Sequence, residues 1–285
     1  MKTIIIDASS LLFPTIYNSA GFELTTEDGT PVTCVYSFLE DMLNLGLKFS
    51  TNRIVVVFDS KGSKRRELYP DYKANRQEVS EEIKEKRKSL FDQIPILKDF
   101  LTSMKIPFYC EDGLEADDLV ASIVYNNPLE QFITVSTDHD LLQLIRENNV
   151  IYNPKKETII DDGVFRKKFP MISASEYWKI LSLAGCSTDN VKPCNEGVGE
   201  KTAYKYLTNA LKPTSKAYQK VVDGLPNTSL IEKLVKLPFK GTPQIQLPHI
   251  SLRCHDFFSK CTEYQFVSFL EEKELSRWVS FFSLR

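Results

Sequence analysis

No apolar run in the 285 residues approaches the roughly 20 needed for a helix to span a bilayer, which excludes an ordinary helical membrane protein. The start, Met1-Lys2-Thr3-Ile4-Ile5-Ile6-Asp7, meets a carboxylate too early for a secretory signal, so the expected compartment is the cytoplasm. Six cysteines (34, 110, 186, 194, 254 and 261) form no CxxC pair and no metal-finger spacing. A disulfide framework is not expected, and buried small hydrophobes are their plain reading. A basic excess, the usual mark of nucleic-acid binding, is also missing: 36 Lys and Arg face 38 Asp and Glu. There is no internal repeat and no low-complexity tract.

What is present is a globular composition, 42% hydrophobic and 26% charged, with length for one large domain or two modest ones. The flat charge average conceals a contrast. Between Lys61 and Lys88 ten Lys or Arg stand against six Asp or Glu, while carboxylates gather elsewhere in short clusters. Regions of opposite sign kept apart can hold phosphates with one and cations with the other.

Three β-branched apolar runs end in aspartate: Thr3–Asp7, Ile54–Asp59 and Phe132–Asp138. Continuous hydrophobicity suits strands buried on both faces of a parallel sheet. Helical patterns between them, near 33–48, 78–104 and 115–126, predict an α/β fold with a mainly parallel central sheet flanked by helices. Ligands of such sheets bind beyond the carboxyl ends of the strands, so the aspartates there converge on one crevice. After about residue 170 the texture becomes helical. Ser173-Ala174-Ser175-Glu176 has capping-box spacing and opens a helix reaching Ala184, with Gly185 placed to stop it. The expected organisation is an α/β core over 1–170 and, closely joined to its sheet, a helical region over 171–285 broken at Pro213, Pro226, Pro238, Pro243 and Pro248.

Asp7 and Asp59 lie at strand ends. Glu115, Asp117 and Asp118 open a helix, Asp138 and Asp140 follow the third strand, and Asp189 precedes a glycine turn. Magnesium takes oxygen ligands, and a two-ion phosphodiester site needs more carboxylates than one segment supplies. Singly, each residue has a bland alternative as a turn former or helix cap. Four clusters at one end of one sheet make that alternative much weaker. The basic segment Lys61–Arg76 begins just past Asp59. Lys64, Arg65 and Arg66 there can neutralise phosphates, and Tyr69 or Tyr72 can offer a base-stacking surface. Gly197-Val198-Gly199, followed by Lys201-Thr202, points backbone amides outward at a helix start, which suits phosphate contacts.

These segments resemble the 5′-nuclease family, which includes the 5′→3′ exonuclease domain of bacterial DNA polymerase I and the bacteriophage flap endonucleases. The resemblance lies in Asp59-Ser60-Lys61-Gly62 running on to Glu67–Arg76, in Glu115–Asp118, in Ser136–Leu144, and in Asp189-Asn190 with Gly197–Ala203. It covers about residues 1–210. It implies a metal-dependent enzyme that hydrolyses DNA phosphodiesters at or near 5′ ends, with a helical arch near 61–105 and a helix-hairpin-helix near 185–210. It implies Asp7, Asp59, Glu115 and Asp117 at a first metal with Asp118 nearby, and Asp138 and Asp140 at a second, with Asp117 as bridge and Asp189 beside it. Lys73 and Arg76 match residues that contact the scissile phosphate. Gly197 and Gly199 match a hairpin that grips duplex backbone, often through K+. The implied cofactor is two Mg2+, with Mn2+ able to substitute. The implied partners are DNA ends, flaps or gaps and RNA primer–DNA hybrids, met by a monomer in a bacterial or phage-infected cell.

One departure matters. Where the family has an aspartate ligand of the second metal, this sequence has Cys186 in Gly185-Cys186-Ser187-Thr188-Asp189-Asn190. A thiol is a poor partner for hard magnesium and a better one for zinc. A rival reading is therefore a catalytically weakened protein that binds branched DNA, and another is a magnesium-dependent phosphatase or nucleotidyl transferase. His139, between two proposed ligands, is expected to be exposed.

Overall fold

A computed structural model describes residues 2–18, 23–77 and 80–284. The chain opens with β1 (Lys2–Asp7) and α1 (Ala8–Asn18), then α2 (Thr33–Phe49), β2 (Ile54–Val57), the single turn α3 (Arg65–Leu68), α4 (Glu81–Met104), β3 (Phe108–Tyr109) and α5 (Ala116–Asn126). After β4 (Gln131–Val135), β5 (Asn149–Asn153) and β6 (Thr158–Ile160) it is helical: α6 (Asp162–Lys168), α7 (Tyr177–Ala184), α8 (Glu200–Leu207), α9 (Lys216–Gly224), α10 (Thr228–Val235), α11 (Cys254–Glu263), α12 (Val267–Leu270) and α13 (Glu272–Phe282).

The six strands form one sheet in the order β3-β2-β1-β4-β5-β6, parallel except for the antiparallel edge strand β6. Ile4, Ile5 and Ile6 of β1 are all fully buried. Period-two alternation sends Ile5 into one apolar core and Ile4 and Ile6 into the other. The registers of β1 place Asp7 beside Val57 and Ile6 beside Val135. Because β2 stops at Val57 and β4 at Val135, Asp59 and Asp138 stand in the loops just past the strand ends, at the same edge as Asp7.

The helix expected over 78–104 begins at Glu81, where Ser80 Oγ accepts the amide of Ile83; residues 78 and 79 lie outside the described residues. Ser173, read as a cap, instead donates to the carboxylate of Glu176, and a short 3-10 turn precedes α7. Packing continues across residue 170, with the helical region joined to the sheet. One core joins β-strand residues to α7, α8 and α10. The other joins α1, α2 and α4 to Phe257, Trp278 and Phe281 of the C-terminal helices, all fully buried. A Cβ at Gly46 would stand 2.3 Å from the Phe281 ring, so that glycine is what lets α13 seat on α2. The change of texture at residue 170 marks the end of the strands and not the end of a core.

Candidate metal and nucleic-acid cleft

At the carboxyl edge of the sheet lies a cleft of about 820 Å3, lined by Asp7, Asp59, Glu115, Asp117, Asp138 and Asp140 together with Lys73 and Arg76. The Asp7 carboxylate is buried and held by three donors: Ser10 Oγ at 2.7 Å, Ser136 Oγ at 2.8 Å and the Ser9 amide at 3.1 Å. Burial, and then the charge of Asp59, push its carboxyl up to about 6. Asp59 accepts the Ala116 amide at 2.9 Å and Ser9 Oγ at 2.5 Å, which ties the β2 loop to the start of α5. Sequence reading missed Ser9, Ser10 and Ser136, although the first two stand only two and three residues after Asp7.

Glu115 caps α5 in a reciprocal arrangement with Asp118. Its carboxylate accepts the Tyr72 hydroxyl at 2.8 Å and stands 2.9 Å from Lys73 Nζ. Burial alone would raise this carboxyl; the Lys73 and Arg65 cations outweigh it and leave it lowered. At Asp117 the same two cations are outweighed. Its Oδ1 is buried with no hydrogen-bond partner, and burial followed by the Asp118 charge holds its carboxyl well above the usual range. Asp138 and Asp140 are paired through the Asp140 amide, which donates to Asp138 Oδ1 at 2.8 Å. Burial, then Asp138 and Asp189, raise Asp140 well above normal. Asp138 faces the opening, yet protein crowds it closely enough to raise its carboxyl too.

Asp189 is buried and heavily engaged: Arg76 lies at 2.7 Å, the Tyr72 hydroxyl at 2.9 Å and Lys73 Nζ at 3.6 Å, while its carbonyl accepts the Lys73 amide at 2.8 Å. Cys186 does reach this cluster. Ligand atoms of Asp140, Cys186 and Asp189 all fall within 4.8 Å of one another. Burial, then Asp140 and Asp189, push the Cys186 thiol up to about 12, so it stays protonated, 3.8 Å from Asp140 Oδ1 and 3.0 Å from Thr188 Oγ1. A divalent cation fits this donor set. Carboxylate oxygens are hard ligands, several here are raised by burial and by one another's charge, and Asp117 Oδ1 is a buried acceptor that no protein group satisfies.

Three expected site residues are placed otherwise. Asp118 is fully buried, and both its oxygens are taken by Arg65, at 2.6 and 2.8 Å, so it is not free to hold a metal. Arg65, expected on a DNA-facing surface, is only 2% exposed and engaged in that pair. Tyr72 is likewise 2% exposed and has no face for a base to stack on. Lys64 and Arg66 remain exposed, as do His139 and Lys201, while Thr202 is half-buried. Gly197 adopts φ +80°, which favours glycine. Gly199 has ordinary extended geometry, is exposed, and a Cβ on it would meet nothing within 4 Å. Its backbone conformation therefore gives no reason for glycine.

A mainly parallel sheet that brings these carboxylates to one cleft with a lysine and an arginine is an arrangement suited to metal-dependent phosphoryl chemistry. The family profile described as "5'-3' exonuclease, N-terminal resolvase-like domain" matches residues 2–170. A 5'-3' exonuclease of Aquifex aeolicus is 35% identical over 73% of this chain and 69% of its own length. One from Buchnera aphidicola (subsp. Acyrthosiphon pisum) is 30% identical over 86% and 79%. DNA polymerase I of Caldicellulosiruptor bescii is also 30% identical over 73% of this chain, which there spans only 24% of the relative. The fold is shared with the solved T5 5'-exonuclease, at a TM-score of 0.71, 20% identity, and coverage of 84% of this chain and 90% of that one. The chain belongs to the 5'-3' exonuclease family.

Proposed function

We propose that this cleft hydrolyses DNA phosphodiesters at or near 5′ ends, as exonuclease or flap endonuclease, with divalent metal held by its carboxylates. The observation that carries the reading is the buried, unpartnered Asp117 Oδ1 in a cleft where carboxylates from several elements meet Lys73 and Arg76. Asp7, Asp59, Glu115 and Asp117 would hold a first ion; Asp138, Asp140 and Asp189 a second, with Asp117 serving both. Magnesium is the proposed metal, and manganese can replace it. Bound there, the metal supplies positive charge that polarises the phosphate and makes water a stronger nucleophile.

The chain's own groups do the rest. Lys73 and Arg76 are tied to Glu115 and Asp189, and the same donors can turn to a phosphate entering the cleft, offsetting charge as it develops. No protein nucleophile is needed. Residues 61–105 act as the arch, with Lys64 and Arg66 as its exposed cations. Residues 185–210 act as the hairpin that grips duplex backbone, where Gly199 leaves room for a phosphate and Gly197, Lys201 and Thr202 flank it, with K+ a fitting mediator. DNA is the proposed partner, RNA primer–DNA hybrids included, and the acting species a cytoplasmic monomer. Related folds support this: a T5 flap endonuclease was solved with DNA and metal ions, and the catalytic core of Rad2 with DNA substrate.

Cys186 favours a second reading, a weakened enzyme that mainly binds branched DNA, because a soft sulfur stands beside Asp140 and Asp189 where a carboxylate oxygen would suit a hard ion. The deciding experiment compares one flap duplex labelled at its 5′ or its 3′ end in magnesium. Early release of short fragments carrying the 5′ label is expected. Attack from the 3′ end, or tight binding without any cleavage, would overturn the first reading.

A further inference from the structure

Two buried clamps leave the carboxylate clusters of the cleft, and both close on one short segment, Leu234–Phe239. The first is Gln143, three residues after Asp140 and 1% exposed. Its Nε2 donates to the carbonyls of Asp140 at 2.9 Å and Val235 at 3.0 Å, and its Oε1 accepts the Leu237 amide at 2.9 Å. Both donors and the acceptor of this amide are thus spent on backbone. The second clamp is the Arg65–Asp118 pair. Arg65 Nε donates to the Leu234 carbonyl at 2.8 Å, and Asp118 Oδ1 accepts the Phe239 amide at 2.6 Å. Asp118 Oδ2 also accepts the Glu115 amide at 3.3 Å, and Asp118 directly follows Asp117 in the chain.

Neither clamp reaches the cleft itself: Gln143, Arg65 and Asp118 are absent from its lining. Burying an amide and a charge pair is costly unless every valence is met, and here they are met by the same segment. The carboxylates at Glu115–Asp117 and at Asp138–Asp140 lie on separate elements, the start of α5 and the turn after β4. A two-ion phosphodiester site tolerates ion separations of only about 3.5–4 Å, so the spacing of the two groups has to be held.

We infer that Leu234–Phe239 is a crossbeam that fixes the separation of the Glu115–Asp117 and Asp138–Asp140 carboxylates, with Gln143 and the Arg65–Asp118 pair as its positioning residues. This rests on the metal reading above. It gives a stretch beyond the segments that resemble the nuclease family a defined task. Removing a clamp should loosen the second ion without touching DNA contacts, since groups that orient metal ligands typically alter metal affinity about 10–100-fold.

The test follows Mn2+ binding by the loss of the free-ion electron paramagnetic resonance signal, in parallel with melting curves. Gln143→Met removes both donors and the acceptor at similar length. Arg65→Lys keeps a charge beside Asp118 but loses the bond to Leu234, and tests the other clamp should Gln143→Met fail to fold. Trp278→Phe, in the opposite core, controls for lost stability alone. The expected result is that the weaker Mn2+ affinity falls at least ~10-fold in either clamp variant, with KM for flap DNA near the parent's and Mn2+ binding unchanged in Trp278→Phe. Folded clamp variants whose Mn2+ curves coincide with the parent's would overturn the crossbeam. A parent that binds no Mn2+ would overturn the metal reading and the crossbeam with it.

Discussion

Lys73 Nζ stands 2.9 Å from the Glu115 carboxylate, inside the carboxylate cleft, on a residue whose own backbone is left-handed at φ 55° and whose amide is bonded to Asp189. A lysine held this way has three anchors at the site and little freedom on the surface. Lys73→Ala should slow single-turnover cleavage by about 10²-fold or more, the usual scale for losing a group that meets developing charge, while changing DNA affinity only a few-fold. Single-turnover rates equal to the parent's would reduce Lys73 to a structural cation.

Cys186 sets a second expectation. A carboxylate in its place would add an oxygen ligand and a negative charge beside Asp140 and Asp189. Cys186→Asp should therefore shift the magnesium titration of cleavage rate toward lower concentration, with a smaller effect at saturation. Coincident titrations at fixed salt would mean that the remaining carboxylates already complete the site.

Gly199 is exposed and open on the side where a Cβ would stand. Since its backbone tolerates any residue, Gly199→Val should fold normally and weaken duplex binding through bulk alone. Fluorescent flap DNA measures this; an unchanged affinity would leave 185–210 as a structural turn.

The cleft also predicts how metal-free stability depends on pH. The Asp7 carboxyl is raised from 3.8 to about 6, and Asp117, Asp138 and Asp140 are raised as well, while Glu115 is lowered. A raised carboxyl favours folding in its protonated form. Its contribution is complete below the unfolded value near 4 and is lost as pH rises through the folded value. Glu115 opposes this, contributing above its unfolded value, but it is one group against four. In chelator, melting temperature should therefore be higher at pH 5 than at pH 7.5, and divalent metal should restore stability at the higher pH. Asp7→Asn should remove part of the difference, ~1.4 kcal/mol at most, because only the unit of pH between 5 and the folded value of about 6 counts in this window. A parent and an Asp7→Asn variant with parallel profiles would contradict the account.

Much of this was legible because strands buried on both faces announce themselves. The runs ending at Asp7, Asp59 and Asp138 located the sheet edge, and the helix opening at Glu115 located the next ligands. Three strands were not visible: β3 and the edge strand β6, since two or three residues carry no periodic signal, and β5, whose asparagine-bounded run Asn149–Asn153 is short and only partly apolar. Arg65 and Tyr72 misled for another reason. They sit in a polar, basic stretch that reads as exposed, and the partners that bury them, Asp118, Glu115 and Asp189, lie 43 to 117 residues away. The docking of α11–α13 was equally hidden, because an amphipathic helix states that it has a partner and not which one.

That these carboxylates hold the metal used in cleavage is decided at Asp117. Asp117→Asn removes the charge from a half-buried side chain whose Oδ1 is buried and unpartnered, while keeping its shape. The measurement is release of labelled 5′ fragments from a flap duplex across a magnesium titration, with DNA affinity determined alongside in Ca2+. The parent should cleave in magnesium and stop in chelator, and the variant should bind DNA normally yet release no fragments at any magnesium concentration. Near-parental cleavage by Asp117→Asn, or parental cleavage that persists in chelator, would contradict it.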